Sequence, residues 1–195
     1  MDKNKKTFTP TYRSLWLIPA TTVMVSCIGK STAPNIITIA ACGIASSNPL
    51  LISLAVGVNQ YSLRLMKETG DFVVNVPSHK QAYVTDLCGS VSGRYVNKFV
   101  EYNLTPGRSV KVKSPYIVEC PINIECTLWK SINCGSHELV LGEIQLVHVD
   151  EEIIDETGAI DPSKFNPLVS FQSEYWNLGN MIDKWHYTVR KKERK

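Results

Sequence analysis

The chain has 195 residues, 44% hydrophobic and 20% charged, an ordinary globular composition with enough chain for one domain and a sizeable core. Its net charge of +3 is too small for a nucleic-acid footprint, and the one dense basic run, Arg190-Lys191-Lys192-Glu193-Arg194-Lys195, is terminal and reads as a solvated end. No export signal or membrane span is expected: Leu15-Trp16-Leu17-Ile18 stops at Pro19, and the apolar region from Ile36 to Val58 is broken by Ser46-Ser47-Asn48-Pro49. A cytoplasmic protein without nucleic-acid or membrane partners is the expectation. The six cysteines contain no CxxC pair and lie mostly in apolar runs, so they read as reduced, structural thiols.

Residues 1–14 read as an arm and about 181–195 as a tail of a single domain. Thr21 to Ile28 is β-branched, with Val23, Val25 and Cys27 on one strand face. The turn-rich stretch 29–35 then predicts a hairpin to a strand over Ile36–Cys42, whose faces divide into Ile36, Thr38, Ala40, Cys42 and Ile37, Ile39, Ala41. Leu50–Val58 is a further strand, with Ser53 facing away from Leu50, Ile52 and Leu54. Gln60–Thr69 has helical spacing and ends at Gly70, a C-cap glycine. Phe72–Val76 is a strand closed by Pro77, and Ser78 is a plausible N-cap for a helix running toward Cys88-Gly89.

A loop is expected through Ser92-Gly93-Arg94 and Asn97-Lys98-Phe99. Beyond Pro115, Ile122, Ile124, Cys126 and Leu128 alternate with Asn123, Glu125, Thr127 and Trp129, the pattern of a strand with one polar face. Asn133-Cys134-Gly135-Ser136 marks a turn into a long strand, Glu138–Val149, in which Gly142 signals a bulge or a close approach. Hairpin-connected strands with a few short helices predict a mainly β, barrel-like fold.

The chemistry concentrates between Asn35 and Lys67. Small residues (Ala40, Ala41, Gly43, Ala45) let backbone approach a flat partner, and Ser53, Ser62 and Lys67 add hydroxyls and a cation. That set suits a planar, phosphorylated ligand; an ordinary buried strand pair reads the same way. The chain has no GxGxxG dinucleotide fingerprint, no Walker A loop and no GxSxG nucleophile elbow. Cys120, Cys126, Cys134 and His137 are possible zinc ligands, although Cys120 and Cys126 lie six apart on an expected strand. His137 suits either a ligand-contacting loop or a plain exposed turn. His148, in line with Ile144 and Leu146, reads as a core histidine, and His79 as a surface one.

Several runs together resemble the flavin reductase-like, flavin mononucleotide (FMN)-binding split-barrel family, in particular its flavoredoxin-type members. They are Asn35-Ile36-Ile37-Thr38-Ile39-Ala40, Asn48-Pro49-Leu50-Leu51-Ile52-Ser53, Tyr61-Ser62, the stretch 68–77 (ETGDFVVNVP), the stretch 88–94 (CGSVSGR), Lys98-Phe99 and Gly135-Ser136-His137-Glu138-Leu139. The resemblance implies a split β-barrel, Greek-key-like with a few short helices, that binds FMN as a homodimer. It implies a flavin site built from Asn35, Thr38, Ala40, Ala41, Cys42, Gly43, Ser53 and Ser92. Ser62 and Lys67 are expected toward the phosphate, Lys98 as a flavin-contacting cation, His137 beside the cofactor, and Phe171 or Tyr175 as a cover. Replacing Lys98 by Ala is then expected to weaken FMN binding and spare the fold.

Two departures from the family pattern stand out. Ser136 stands where the family usually has Asp, and small residues stand near Ala41 or Cys42, where many relatives carry a bulky aromatic. The implied activity is hydride or electron transfer from NADH or NADPH through FMN to an acceptor. The alternatives are an electron-transfer protein reduced by a partner protein and, from another class, a flavin-free zinc or small-molecule-binding barrel.

Overall fold

A computed structural model describes residues 6–9, 11 and 17–188. The expected N-terminal arm and the terminal basic run therefore fall largely outside the described residues. Seven strands form one antiparallel sheet. They are β2 (Val23–Cys27), β3 (Asn35–Ile39), β4 (Cys42–Ser47), β5 (Leu50–Gly57), β6 (Asp71–Val76), β9 (Ile122–Asn133) and β10 (His137–Val149), in the spatial order β3-β2-β6-β9-β10-β5-β4. A small sheet joins β1 (Ala20–Thr21), β11 (Val169–Phe171) and β12 (Glu174–Trp176), and β7 (Pro106–Gly107) pairs with β8 (Tyr116–Ile117). The helices are α1 (Tyr61–Thr69), α2 (Ala82–Ser90) and α3 (Lys98–Glu101). None of the described helices is long and apolar enough to cross a membrane.

The sheet curls round one apolar cluster, which takes Val23, Val25 and Cys27 from β2, Ile37 and Ile39 from β3, Ile52, Leu54 and Val56 from β5, and Leu63, Leu65 and Met66 from α1. Strands from both ends of the strand order thus share one interior, and α1 plugs it. The strand faces read from alternation hold here. Helix α1 stops where expected, with Gly70 at φ 75° and its N–H on the Met66 carbonyl (2.8 Å). Gly142 fulfils both expectations. The β9–β10 register shifts beside it, and a Cβ at this position would overlap the Phe72 ring.

Three sequence expectations need correction. The strand expected over Ile36–Cys42 ends at Ile39; the chain bends at Ala40-Ala41 and starts β4 at Cys42. The stretch around Lys98 is helical, because the Asn97 side chain accepts the Val100 N–H (3.4 Å) and caps α3. The third concerns β9, whose first half has no solvent face: Asn123 (4% exposed) and Glu125 (0%) are as buried as Cys126. Segment 104–120 covers that side. With α2 and α3 it builds a second apolar cluster of Met24, Ile36, Cys88, Phe99, Leu104, Ile117 and Cys120.

The main polar groups that segment 104–120 covers are paired. Asn75 donates to Met24 O (2.9 Å) and Ser26 Oγ (3.0 Å) and accepts from the Ile117 N–H and Asn123 Nδ2, both at 2.9 Å. Glu125 accepts the N–H groups of Val110, Lys111 and Val112 at 2.6–3.2 Å and faces His148 Nε2 at 2.6 Å. His148 also stacks on Tyr116 (centroids 4.9 Å apart), which is how this histidine is satisfied. Burial pushes the Glu125 carboxyl up, but the amide donors and His148 outweigh it and hold the group below the usual carboxylate range.

Two outcomes follow. Gly142→Val should destabilise the protein by roughly 1–3 kcal/mol in urea unfolding, because the Phe72 ring must give way. A carboxyl depressed by folding contributes stability that is full above its unfolded pKa, about 4.3 for Glu, and is lost as the pH falls from there through the lower folded-state pKa. Urea midpoints between pH 7 and 3 should therefore fall less steeply for Glu125→Gln than for the wild type, from a lower starting value.

Candidate functional site

Strand β3 is the spine of the site. At its N-terminal end Asn35 (3% exposed) donates through Nδ2 to the Ser62 hydroxyl (2.8 Å) on the first turn of α1, itself 1% exposed. The Asn35 Oδ1 is a buried acceptor without a partner among the described residues, and Gly93 lies so close that any Cβ there would overlap it. Further along β3, Thr38 donates to Thr85 O of α2 (2.5 Å), and Gly89 packs on the Thr38 side chain. Helix α2 and its exit loop are thereby fixed along β3.

At the other end of β3 the chain bends through Ala40 and Ala41 into β4. Ala40, Ala41 and Gly43 are exposed, and a Cβ on Gly43 would meet nothing within 4 Å. Ser53 donates to Gly43 O (3.1 Å), Cys42 Sγ faces Thr21 O (3.6 Å), and Ala55 N–H bonds Ala41 O (2.9 Å). These ties leave a bare backbone platform on fixed supports. The small residues noticed in the sequence are thus a surface and not a buried strand pair.

Strand register carries the platform across to His137. Ala55 lies opposite Leu139, Val56 opposite Glu138 and Gly57 opposite His137. His137 is exposed, with Nδ1 2.9 Å from the Ser136 hydroxyl. Ser136 therefore supplies the hydrogen-bond partner that orients the ring. The turn itself uses Gly135 at φ 92°.

The two expected lysines sit differently from the free cations the sequence suggests. Lys98 is 2% exposed, and its ammonium donates to Ile36 O (2.6 Å) and Cys88 O (2.5 Å). Burial lowers its pKa below the usual lysine value, with nearby Cys88 and Cys27 opposing that shift. It ties β3 to the last turn of α2, and Lys98→Ala would leave two buried carbonyls unpaired. The expectation that this substitution spares the fold does not survive the burial. Lys67 is paired with Glu138 (2.5 Å), which also accepts from Ser131. These partners, Lys67 first, hold the Glu138 carboxyl below its ordinary range.

Two arginines that the sequence does not single out flank the residue before Ser62. Arg64 and Arg94 approach the Tyr61 ring at 4.9 and 5.9 Å, Tyr61 preceding Ser62 and Arg94 following Gly93. Arg94 stood in the quoted CGSVSGR run, so the signal was present; only the fold shows that its loop meets α1. Exposed Ser92 accepts the Arg94 N–H (3.3 Å). Phe171 sits on β11, 40% exposed, with its ring 6.1 Å from Trp176. The same small sheet lies beside the platform through Thr21, and Tyr175 reaches Asp86 of α2 (3.0 Å).

The zinc alternative finds no support in the geometry. Cys120 and Cys126 are fully buried, Cys134 is exposed at the far end of β9, and no three His, Cys, Asp or Glu side chains among the described residues converge on a metal-sized site.

With this geometry in place, comparison with known proteins is decisive at the family level. Residues 15–179 match the flavin reductase like domain. The chain belongs to that family. A protein of Archaeoglobus fulgidus is 36% identical over 129 residues, covering 66% of this chain and 72% of its own. The flavoredoxin of Desulfovibrio vulgaris (Miyazaki F) superposes with a TM-score of 0.85 at 29% identity, over 97% of this chain and 100% of its own. A nitrilotriacetate monooxygenase component B from Bacillus cereus gives 0.87 at 23% identity, over 94% and 100%, a likeness of fold. The mainly β split barrel inferred from the motifs is therefore the fold of this chain.

The cysteines complete the electrostatic picture. Burial pushes the Cys27 and Cys126 thiols up to about 12 and the Cys42 and Cys88 thiols to about 11, and raises Cys120 as well. A disulfide-exchange reagent such as Ellman's, applied to the native protein at pH 8, should react fast with one thiol per chain, exposed Cys134, and lose that phase in Cys134→Ser. The buried thiols should follow only on unfolding.

Proposed function

We propose that the chain binds FMN and passes electrons from NADH or NADPH through it to an acceptor. One observation carries this reading beyond family membership. The platform Ala40–Gly43 is exposed, fixed from below, and joined by one strand to a buried acceptor without a partner among the described residues, Asn35 Oδ1, near hydroxyl and guanidinium groups. A planar, phosphorylated and hydroxyl-bearing ligand matches that sequence of surfaces.

The residues present fit the cofactor in kind. Ala40, Ala41 and Gly43 offer flat backbone to a ring, with Cys42 and Ser53 holding that backbone in place. Asn35 Oδ1 suits a ligand N–H or hydroxyl, and Arg94, Arg64 and the Ser92 hydroxyl suit a phosphate. Thr38 and Lys98 act at one remove, fixing α2 against β3. Bound FMN would itself supply the hydride and electron chemistry, which accounts for a site without a nucleophile–base pair. The chain's own tasks are to hold the ring, shield one face and keep His137 oriented through Ser136.

Self-association into a homodimer belongs to the same reading. What supports it is β4, an edge strand with Ile44 71% exposed and an unpaired outer edge among the described residues. A second reading, electron transfer from a partner protein, is favoured by the full-length similarity to a flavoredoxin.

The test begins with the visible spectrum of the purified protein and identification of any released chromophore. Bleaching of the flavin bands by NADH or NADPH alone, without oxygen, is expected; flavin that stays oxidised removes the nicotinamide step. In titrations of the apoprotein, Arg94→Ala should weaken FMN by about tenfold or more and leave riboflavin, which lacks the phosphate, nearly unchanged. Equal losses for both ligands would take Arg94 away from the phosphate.

A further inference from the structure

Segment 107–117 (GRSVKVKSPYI) contains Arg108, Lys111 and Lys113 and no acidic residue. Its backbone is held from inside by two buried carboxylates. Val110, Lys111 and Val112 send their N–H groups to Glu125 (2.8, 2.6 and 3.2 Å). Lys113 and Ser114 send theirs to Asp71 (3.2 and 3.0 Å). Five successive amides thus point inward. Ser109 Oγ closes the loop on Ser114 O (2.6 Å), and the Ser114 hydroxyl bonds Asp71 (2.6 Å).

With those amides turned inward, the cationic side chains are turned out. Arg108, Lys111 and Lys113 are exposed, and Val110 is 67% exposed among them. None of the three cations has an ion-pair partner among the described residues. The loop also sits close to the candidate site. Ser114 Oγ accepts the N–H of Ile28, the residue after Cys27, and Cys27 is the register partner of Asn35. Exposed Lys30 lies two residues further along that connection. The end of the barrel that carries Asn35 and Ser62 is therefore rimmed by unpaired positive charge on a rigid support.

We propose that the loop 108–113, with Lys30, is the docking surface for an acidic electron-carrier protein that delivers electrons to the site beside Asn35. The inference rests on the flavin reading above and names the kind of partner the second version of it requires. An exposed apolar residue, Val110, flanked along the segment by unpaired cations suits a small interface with a charged rim. Fixing the loop beforehand also removes most of the ordering cost of binding. Each encounter with a one-electron carrier passes one electron, so two encounters and two protons from solvent reduce one flavin completely. Three or four cations over one short loop are too few to track a nucleic-acid backbone with useful affinity at physiological salt.

The experiment uses the full chain and two probes of opposite charge, an acidic ferredoxin reduced with dithionite and, as electron acceptor, basic cytochrome c. Stopped-flow rates of flavin reduction by the ferredoxin should fall about tenfold or more between 50 and 500 mM NaCl. The triple substitution Arg108→Glu, Lys111→Glu, Lys113→Glu should lower the low-salt rate by a similar factor and flatten its salt dependence. The milder pair Lys111→Gln, Lys113→Gln should fall between. Flavin content and bleaching by nicotinamide should be unchanged, and cytochrome c reduction should become faster in the triple variant.

Ferredoxin rates equal in wild type and variant at 50 mM NaCl, with flavin content intact, would overturn the proposal. So would a 20-base-pair duplex bound at 150 mM NaCl by the wild type and lost in the variant. Titration calorimetry with oxidised ferredoxin reads docking without any flavin. Wild-type binding that the triple substitution abolishes would support the docking surface even if the protein proved flavin-free, an outcome that would sink the flavin reading alone.

Discussion

The architecture depends on how the sheet's second face is closed. A curled sheet with α1 inside it can leave its convex side wet, and most of that side would then need no buried polar chemistry. Here segment 104–120, with α2 and α3, covers β2, β6 and the first half of β9, so polar side chains there have lost water. Each main one is repaid by a designed partner set: Asn75 bridges β2, β8 and β9, Asp71 takes the Lys113 and Ser114 amides, and Glu125 takes three more. Groups buried this way are costly when unpaired and directional when paired, so they fix one arrangement of a covering segment that an apolar contact alone would let slide.

That covering layer is also where sequence reading ran out. Alternation along β9 was visible, and it correctly assigned the faces. It could not show that the polar face was buried, because Asn and Glu on a strand look the same in water and under a loop. The helix at Lys98 was missed for a related reason: four residues carry too little periodicity to register, and the signal that makes them helical is a single Asn97 cap. By contrast, α1 with its terminal Gly70, the β2–β3 hairpin and the Gly142 close approach were legible, since each is written in local spacing or in a residue that only one geometry accommodates.

For the candidate site the division is different. Residues that act through backbone or small size, Ala40, Ala41, Gly43 and Asn35, were legible from composition and motif, and the fold brings them onto one strand and its bend. Charged residues were not, because a lysine's role depends on what neighbours it in space. Lys98 is a tie between β3 and α2, and Lys67 belongs to Glu138, whereas Arg94 reaches the site only because the loop after α2 crosses β3 at Asn35. Family membership supplies the fold, and these placements say which side chains the fold leaves available.

The contact between Gly93 and Asn35 also constrains how such a site can drift. Position 93 has no room for a side chain while the Asn35 amide occupies the space, and a smaller residue at 35 would abandon the bond to Ser62. The two positions are therefore ordered in any mutational path: the strand residue must shrink before the loop can gain a side chain. A variant library that randomises the loop alone will find position 93 closed, however permissive its neighbours prove.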